Sequence, residues 1–98
     1  MATLSILLGD GFRDDDVLVK IEGRDVARKS HATTDLRTSS AGYVEVSLSQ
    51  AAQLTIEVPR QGLTGVVDVD VEVNPFLAVS IESGALVFRK SDKPFRLM

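Results

Sequence analysis

Residues 64–74, TGVVDVDVEVN, alternate branched aliphatic and acidic side chains. A β-strand is the regular structure that sends successive side chains to opposite faces. Val67, Val69, Val71 and Val73 then line one face, and Asp68, Asp70 and Glu72 the other. A helix would scatter both sets around its circumference. Full burial of each valine is worth about 1.5 kcal/mol, so the pattern predicts a single strand through all four, dry on the valine side and wet on the acidic side.

Similar period-two rows recur along the chain. Leu4, Ile6 and Leu8 lead to the turn Gly9-Asp10-Gly11, and Leu7 is left as an apolar residue on the opposite face. Val17, Val19 and Ile21 stop at Gly23, and Val44, Val46 and Leu48 follow the turn Ala41-Gly42. Leu54, Ile56 and Val58 are stopped by Pro59, which has no amide to give to a ladder. After Asn74-Pro75, the row Leu77, Val79 and Ile81 runs to Ser83-Gly84 and ALVFRK, the pattern of a hairpin. Periodicity fails over residues 24–40, where one short, irregular or edge strand is expected at 26–33. Residues 49–52 are read as one helical turn, and SDKPFRLM as a tail or a short edge addition.

Seven to eight short strands separated by frequent turn signals predict an all-β fold, an antiparallel β-sandwich of prealbumin-like or immunoglobulin-like type. A chain of 98 residues makes one domain with a single modest core, in which residues 89–98 are a basic tail or edge segment. The absence of cysteine excludes disulfides, thiolate metal sites and cysteine nucleophiles. A net charge of −3 lacks the attraction that drives phosphate-backbone binding, so no nucleic-acid partner is expected. The opening MATLSILLGDG has neither a basic n-region nor an apolar run long enough for a signal or a membrane span, which favours a cytoplasmic chain with no membrane partner.

The stretch TSSAGYVEVSL resembles the T-D-x-x-G-x-Y/F-x-x-x-L segment of small sandwiches in the transthyretin-like group, which includes carboxypeptidase regulatory-like modules. VLVKIEGRDV is similar to the opening strand and glycine turn of that group, and LTIEVPRQGLTGVVDVDVEV to its later pair of strands. The resemblance spans residues 17–73. Ser39 stands where the group often has Asp, and Ala51-Ala52 replaces a common Pro-Gly. What it implies is a seven-stranded, non-catalytic module with no specific ligand. An enzymatic branch that hydrolyses hydroxyisourate uses several His and Arg residues and a Tyr-Arg-Gly-Ser terminus. This chain has one His and ends FRLM, so that activity is not expected.

His31 is the one side chain suited to proton transfer near neutral pH, with Ser30, Thr33, Thr34 and Asp35 close in sequence. No nucleophile-elbow pattern accompanies it, and a solvated loop histidine is the expectation. Asp10, Asp14 and Asp16, with Asp15 between them, offer the hard oxygens that Ca²⁺ prefers, without EF-hand spacing. The acidic row at 68, 70 and 72 would pair with Lys20, Arg24, Arg28 or Lys29, or face water. Charge is uneven along the chain. Residues 89–98 carry Arg89, Lys90, Lys93 and Arg96 against Asp92, net +3, which leaves −6 for residues 1–88.

That contrast, with Phe88 and Phe95 as apolar anchors, points to contact between subunits through the C-terminal segment. The function expected is therefore a non-enzymatic structural or protein-interaction module without cofactor, binding copies of itself or a larger protein. The alternative is a small-ligand or calcium-binding module using the loop around Asp10, Asp14 and Asp16.

Overall fold

The computed structural model describes residues 2–35, 37, 40–48 and 51–93. Each apolar row becomes a strand, because only an extended backbone puts every second side chain on the same face. The strands are β1 (Ala2–Leu8), β2 (Asp15–Ile21), β3 (Arg24–Ala32), β4 (Gly42–Leu48), β5 (Ala52–Val58), β6 (Leu63–Val69), β7 (Phe76–Glu82) and β8 (Ala85–Ser91). They form two four-stranded sheets. Sheet A has the order β4-β1-β7-β8 and sheet B the order β3-β2-β5-β6.

The fold is an all-β sandwich, as the alternation requires. One core fills the space between the sheets: Leu4, Ile6 and Leu8 of β1 with Leu77 and Val79 of β7 on one side, and Val17, Val19, Leu54, Ile56 and Val58 of β2 and β5 on the other. Phe12, from the β1–β2 loop, is buried with them. Among the described residues no helix is long and apolar enough to cross a membrane.

Among the described residues, antiparallel pairing has one exception. β1 and β7 run parallel, with Ser5 opposite Phe76 and Leu8 opposite Val79. β1 already pairs with β4 on its other side. The chain crosses from β6 in sheet B and enters sheet A where the Ser5 amide donates to the Pro75 carbonyl (2.9 Å), which fixes the direction of β7.

The valine strand ends sooner than the alternation suggests. β6 stops at Val69, and Asp70 then turns the chain: its carbonyl accepts from the amides of Val73 (3.0 Å) and Asn74 (2.8 Å), and its Oδ1 accepts from the Glu72 amide (3.1 Å). This is local competition between an acidic side chain with its own backbone and the sheet ladder. Val69 and Val71 are buried and Val67 is half-buried, but Val73 is 60% exposed. The acidic row is broken with it. Lys20 pairs with Asp25 and Glu57, and Arg28 with Asp16, while Asp68 receives Gln53 on its carboxylate and Lys90 on its carbonyl.

β3 is the irregular edge strand expected at 26–33, running over Arg24–Ala32 against β2 with register shifts between Asp15 and Val17 and between Val19 and Lys20. The two-residue turn Glu22-Gly23 makes this possible, since φ values of +51° and +81° match the twist of a tight hairpin. Ser83-Gly84 joins β7 to β8 in the same way, at +51° and +75°. Of the helical turn expected at 49–52, residues 49 and 50 lie outside the described residues, Ala51 is in no regular element and Ala52 opens β5. Arg89 and Lys90 belong to the edge strand β8 rather than to a tail.

Strand β6 approaches β8 where Gly65 leaves room for the Phe88 ring. A Cβ on Gly65 would stand 2.7 Å from Phe88 Cζ. Gly65→Ala is expected to lower unfolding free energy by about 1–2 kcal/mol, overpacking exceeding the gain from removing a strand glycine. Phe88→Leu in the Gly65→Ala background should recover part of that loss in a denaturant titration. Val73→Thr should change stability by less than about 0.5 kcal/mol, whereas Val69→Thr should lower it by about 1–3 kcal/mol by burying a hydroxyl.

Candidate interaction surface

Two regions could carry function: the polar end around the β1–β2 loop, and the outer faces of the sheets. The end loop is fixed by its sequence. Gly11 has φ +95°, and a Cβ there would collide with the Ile81 carbonyl at 2.5 Å, so only glycine fits. The Ile81 amide donates to the Asp10 carbonyl (2.8 Å), and Thr34 Oγ1 accepts from the Phe12 amide (3.1 Å) while donating to the Gly9 carbonyl (2.7 Å).

The acidic run is pulled apart as β2 begins, because consecutive residues there point in different directions. Asp15 is 1% exposed, and its Oδ2 accepts from the Arg13 amide (2.8 Å) and from Gln61 Nε2 (2.7 Å). Asp16 faces outward to Arg28 (3.0 Å). Asp14, at φ +51°, meets His31 Nδ1 at 2.6 Å and Arg60 at 3.2 Å. Asp10 is exposed. Among the described residues no three His, Asp or Glu side chains converge as a cation site would require.

His31 is therefore paired with Asp14, a residue of another element, and not with Asp35, which binds Arg37. The neighbouring hydroxyls are committed elsewhere: Thr33 Oγ1 accepts the Asp14 amide and Thr34 holds the loop. The arrangement is an Asp–His pair, and among the described residues no hydroxyl, Ser30 included, makes a hydrogen bond to the imidazole. It ties β3 to the loop and, through Arg60, to the 3₁₀ turn Pro59–Gln61. The His31 hydrogen bond, aided by the charges of His31 and Arg60, holds the Asp14 carboxyl below the ordinary range. The backbone amide and guanidinium of Arg37 do the same for Asp35.

The two outer faces differ in kind. Sheet B is laced by ion pairs between strands, Lys20 with Asp25 and Glu57, and Arg28 with Asp16. Among the described residues no ion pair joins strands of sheet A. The outer face of sheet A is built in rows that the register defines. Tyr43, Leu7, Ala78 and Arg89 form one, and Glu45, Ser5, Phe76 and Ser91 the next. Ser80 and Val87 follow. Leu7 and Ala78 are 7% and 8% exposed and make an apolar floor, while Tyr43 is 48% exposed at its rim. The sequence carried a sign of this: Leu7 and Ala78 are apolar at positions where alternation calls for polar residues.

The C-terminal residues singled out from sequence are dispersed. Phe88 sits over Gly65 within the chain. Arg89 points out from sheet A, Lys90 Nζ reaches the Asp68 carbonyl (3.2 Å), and Lys93 is exposed. Phe95 and Arg96 lie outside the described residues. The chain matches no protein-family model, and it has no significant match among characterised proteins or solved structures.

A carboxyl whose folded pKa lies below its unfolded value contributes stability above the unfolded pKa, and that contribution is lost as pH falls through the folded pKa. For Asp14 the ordinary value is 3.8. The difference in melting temperature between wild type and Asp14→Asn is accordingly expected to be present at neutral pH and to vanish as pH drops below that value. Replacing His31 by Ala should raise the Asp14 carboxyl pKa in an NMR titration.

Proposed function

We propose that this domain is a non-enzymatic structural or protein-interaction module that joins copies of itself, or a larger protein, through the outer face of sheet A. The observation that carries this reading is the contrast between the two faces. Protein contact surfaces are depleted of charge at their centres and enriched in aromatic residues, with charge kept to the rim. Sheet A presents Tyr43 and Phe76 around the Leu7–Ala78 floor, and its nearest charges, Glu45 and Arg89, stand on the two flanking strands. Sheet B instead pairs Lys20 with Asp25 and Glu57, and Arg28 with Asp16, and the exposed Val66 stands apart from these pairs on β6.

The non-catalytic part of the reading is supported by the engagement of the Thr33 and Thr34 hydroxyls beside the Asp14–His31 pair, and by the resemblance to transthyretin-like modules over residues 17–73. The calcium-binding alternative draws no support from Asp14 and Asp16, which face His31, Arg60 and Arg28.

Sedimentation velocity over a concentration series tests the proposal. The wild-type chain is expected to associate as concentration rises. Tyr43→Lys with Val87→Lys should hold it monomeric with an almost unchanged melting temperature, and Val66→Lys on the face of sheet B should leave association intact. A double variant that associates as the wild type does would remove sheet A as the contact surface.

A further inference from the structure

The charges beside the sheet A floor are arranged so that this face complements itself. Glu45 lies on β4 and Arg89 on β8, the two edge strands, three strand spacings apart. At about 4.8 Å per spacing they stand roughly 14 Å apart across the face. They occupy adjacent rows, Glu45 beside Ser5 and Phe76, and Arg89 beside Ala78 and Leu7. Both are exposed, and among the described residues neither has a charged partner.

We infer that the partner on this face is a second copy of the chain, packed sheet to sheet about a twofold axis that runs along the strands. The inference rests on the interaction reading above and adds the occupant and its orientation. Rotation about such an axis exchanges left and right across the sheet, so β4 of each copy lies over β8 of the other. Glu45 then comes within one row of the partner's Arg89, twice, once on each side of the floor. An axis across the strands would instead stack β4 on β4, setting Glu45 against Glu45 and Arg89 against Arg89.

Like charges brought together at the margin of an apolar contact oppose assembly, so charge selects the first axis over the second. Sheets that pack face to face lie about 10 Å apart, a gap that an arginine and a glutamate extended toward each other can bridge. Four strands of seven residues give a face of about 19 by 23 Å, roughly 440 Å² for each copy. That is well below the ~800 Å² per partner of a standard stable interface. The dimer is therefore weak and concentration-dependent.

The test uses the full chain at concentrations up to about 1 mM, with folding checked by circular dichroism. Glu45→Arg alone and Arg89→Glu alone are each expected to weaken self-association at least tenfold, because each sets like charges together at both margins. An equimolar mixture of these two single variants should dimerise again, as a heterodimer detected by native mass spectrometry with one variant isotopically labelled, since both margins then pair opposite charges. The double variant Glu45→Arg/Arg89→Glu should self-associate as the wild type does. Single variants that associate undiminished, or a mixture that gains nothing over them, would overturn the axis while leaving sheet A as a contact face if Tyr43→Lys with Val87→Lys still abolishes assembly. A wild-type chain that stays monomeric throughout would overturn the axis and the self-association reading together.

Discussion

The structure depends on the burial of two facing sets of aliphatic rows, one from each sheet, across a single interlayer space. β1 supplies Leu4, Ile6 and Leu8 from an inner position of sheet A, and β5 supplies Leu54, Ile56 and Val58 from an inner position of sheet B. Because the pleat assigns alternate residues to opposite sides, filling this space also decides what each strand shows to its outer side. Packing of the core thereby decides which positions form the surface.

Joining two sheets requires the chain to cross between them at its ends, where no ladder satisfies the backbone. The protein meets this with side chains whose charges look, in sequence, like chemistry. Asp15 is buried because it accepts from the Arg13 amide and from Gln61, and Asp14 links His31 to Arg60 across three separate segments. Asp70 turns the chain out of sheet B through its own carbonyl and carboxylate. Buried or strained backbone needs partners of this kind. The acidic residues act as local fasteners, and the outward charges of β2, β3 and β5 act as ties between strands.

The outer face of sheet A differs from that of sheet B, where Lys20 pairs with Asp25 and Glu57 and Arg28 with Asp16, in having no ion pair between its strands among the described residues. Its floor is apolar at Leu7 and Ala78, and it is rimmed by Tyr43 and Phe76. The edge strand β3 carries its own safeguards against unwanted pairing. It is shifted in register and densely charged. A face-on contact through sheet A leaves those safeguards in place.

The sequence by itself determined the layer architecture, the inward rows and most turns, because period-two alternation and the positive φ of Gly23 and Gly84 act over a few neighbouring residues. Leu7 was visible as an apolar residue out of phase, although its meaning was not. Only the tertiary structure decided that β1 pairs with β7 in parallel, that Val73 stands in water beyond the Asp70 turn, that His31 meets Asp14 and not Asp35, and that Tyr43, Leu7, Ala78 and Arg89 share one row. The Asp70 turn is a local contest between side chain and ladder, and each of the others joins residues far apart in the chain or sets a loop against a strand. Local pattern fixes which way a side chain points, while strand order and register fix what it meets.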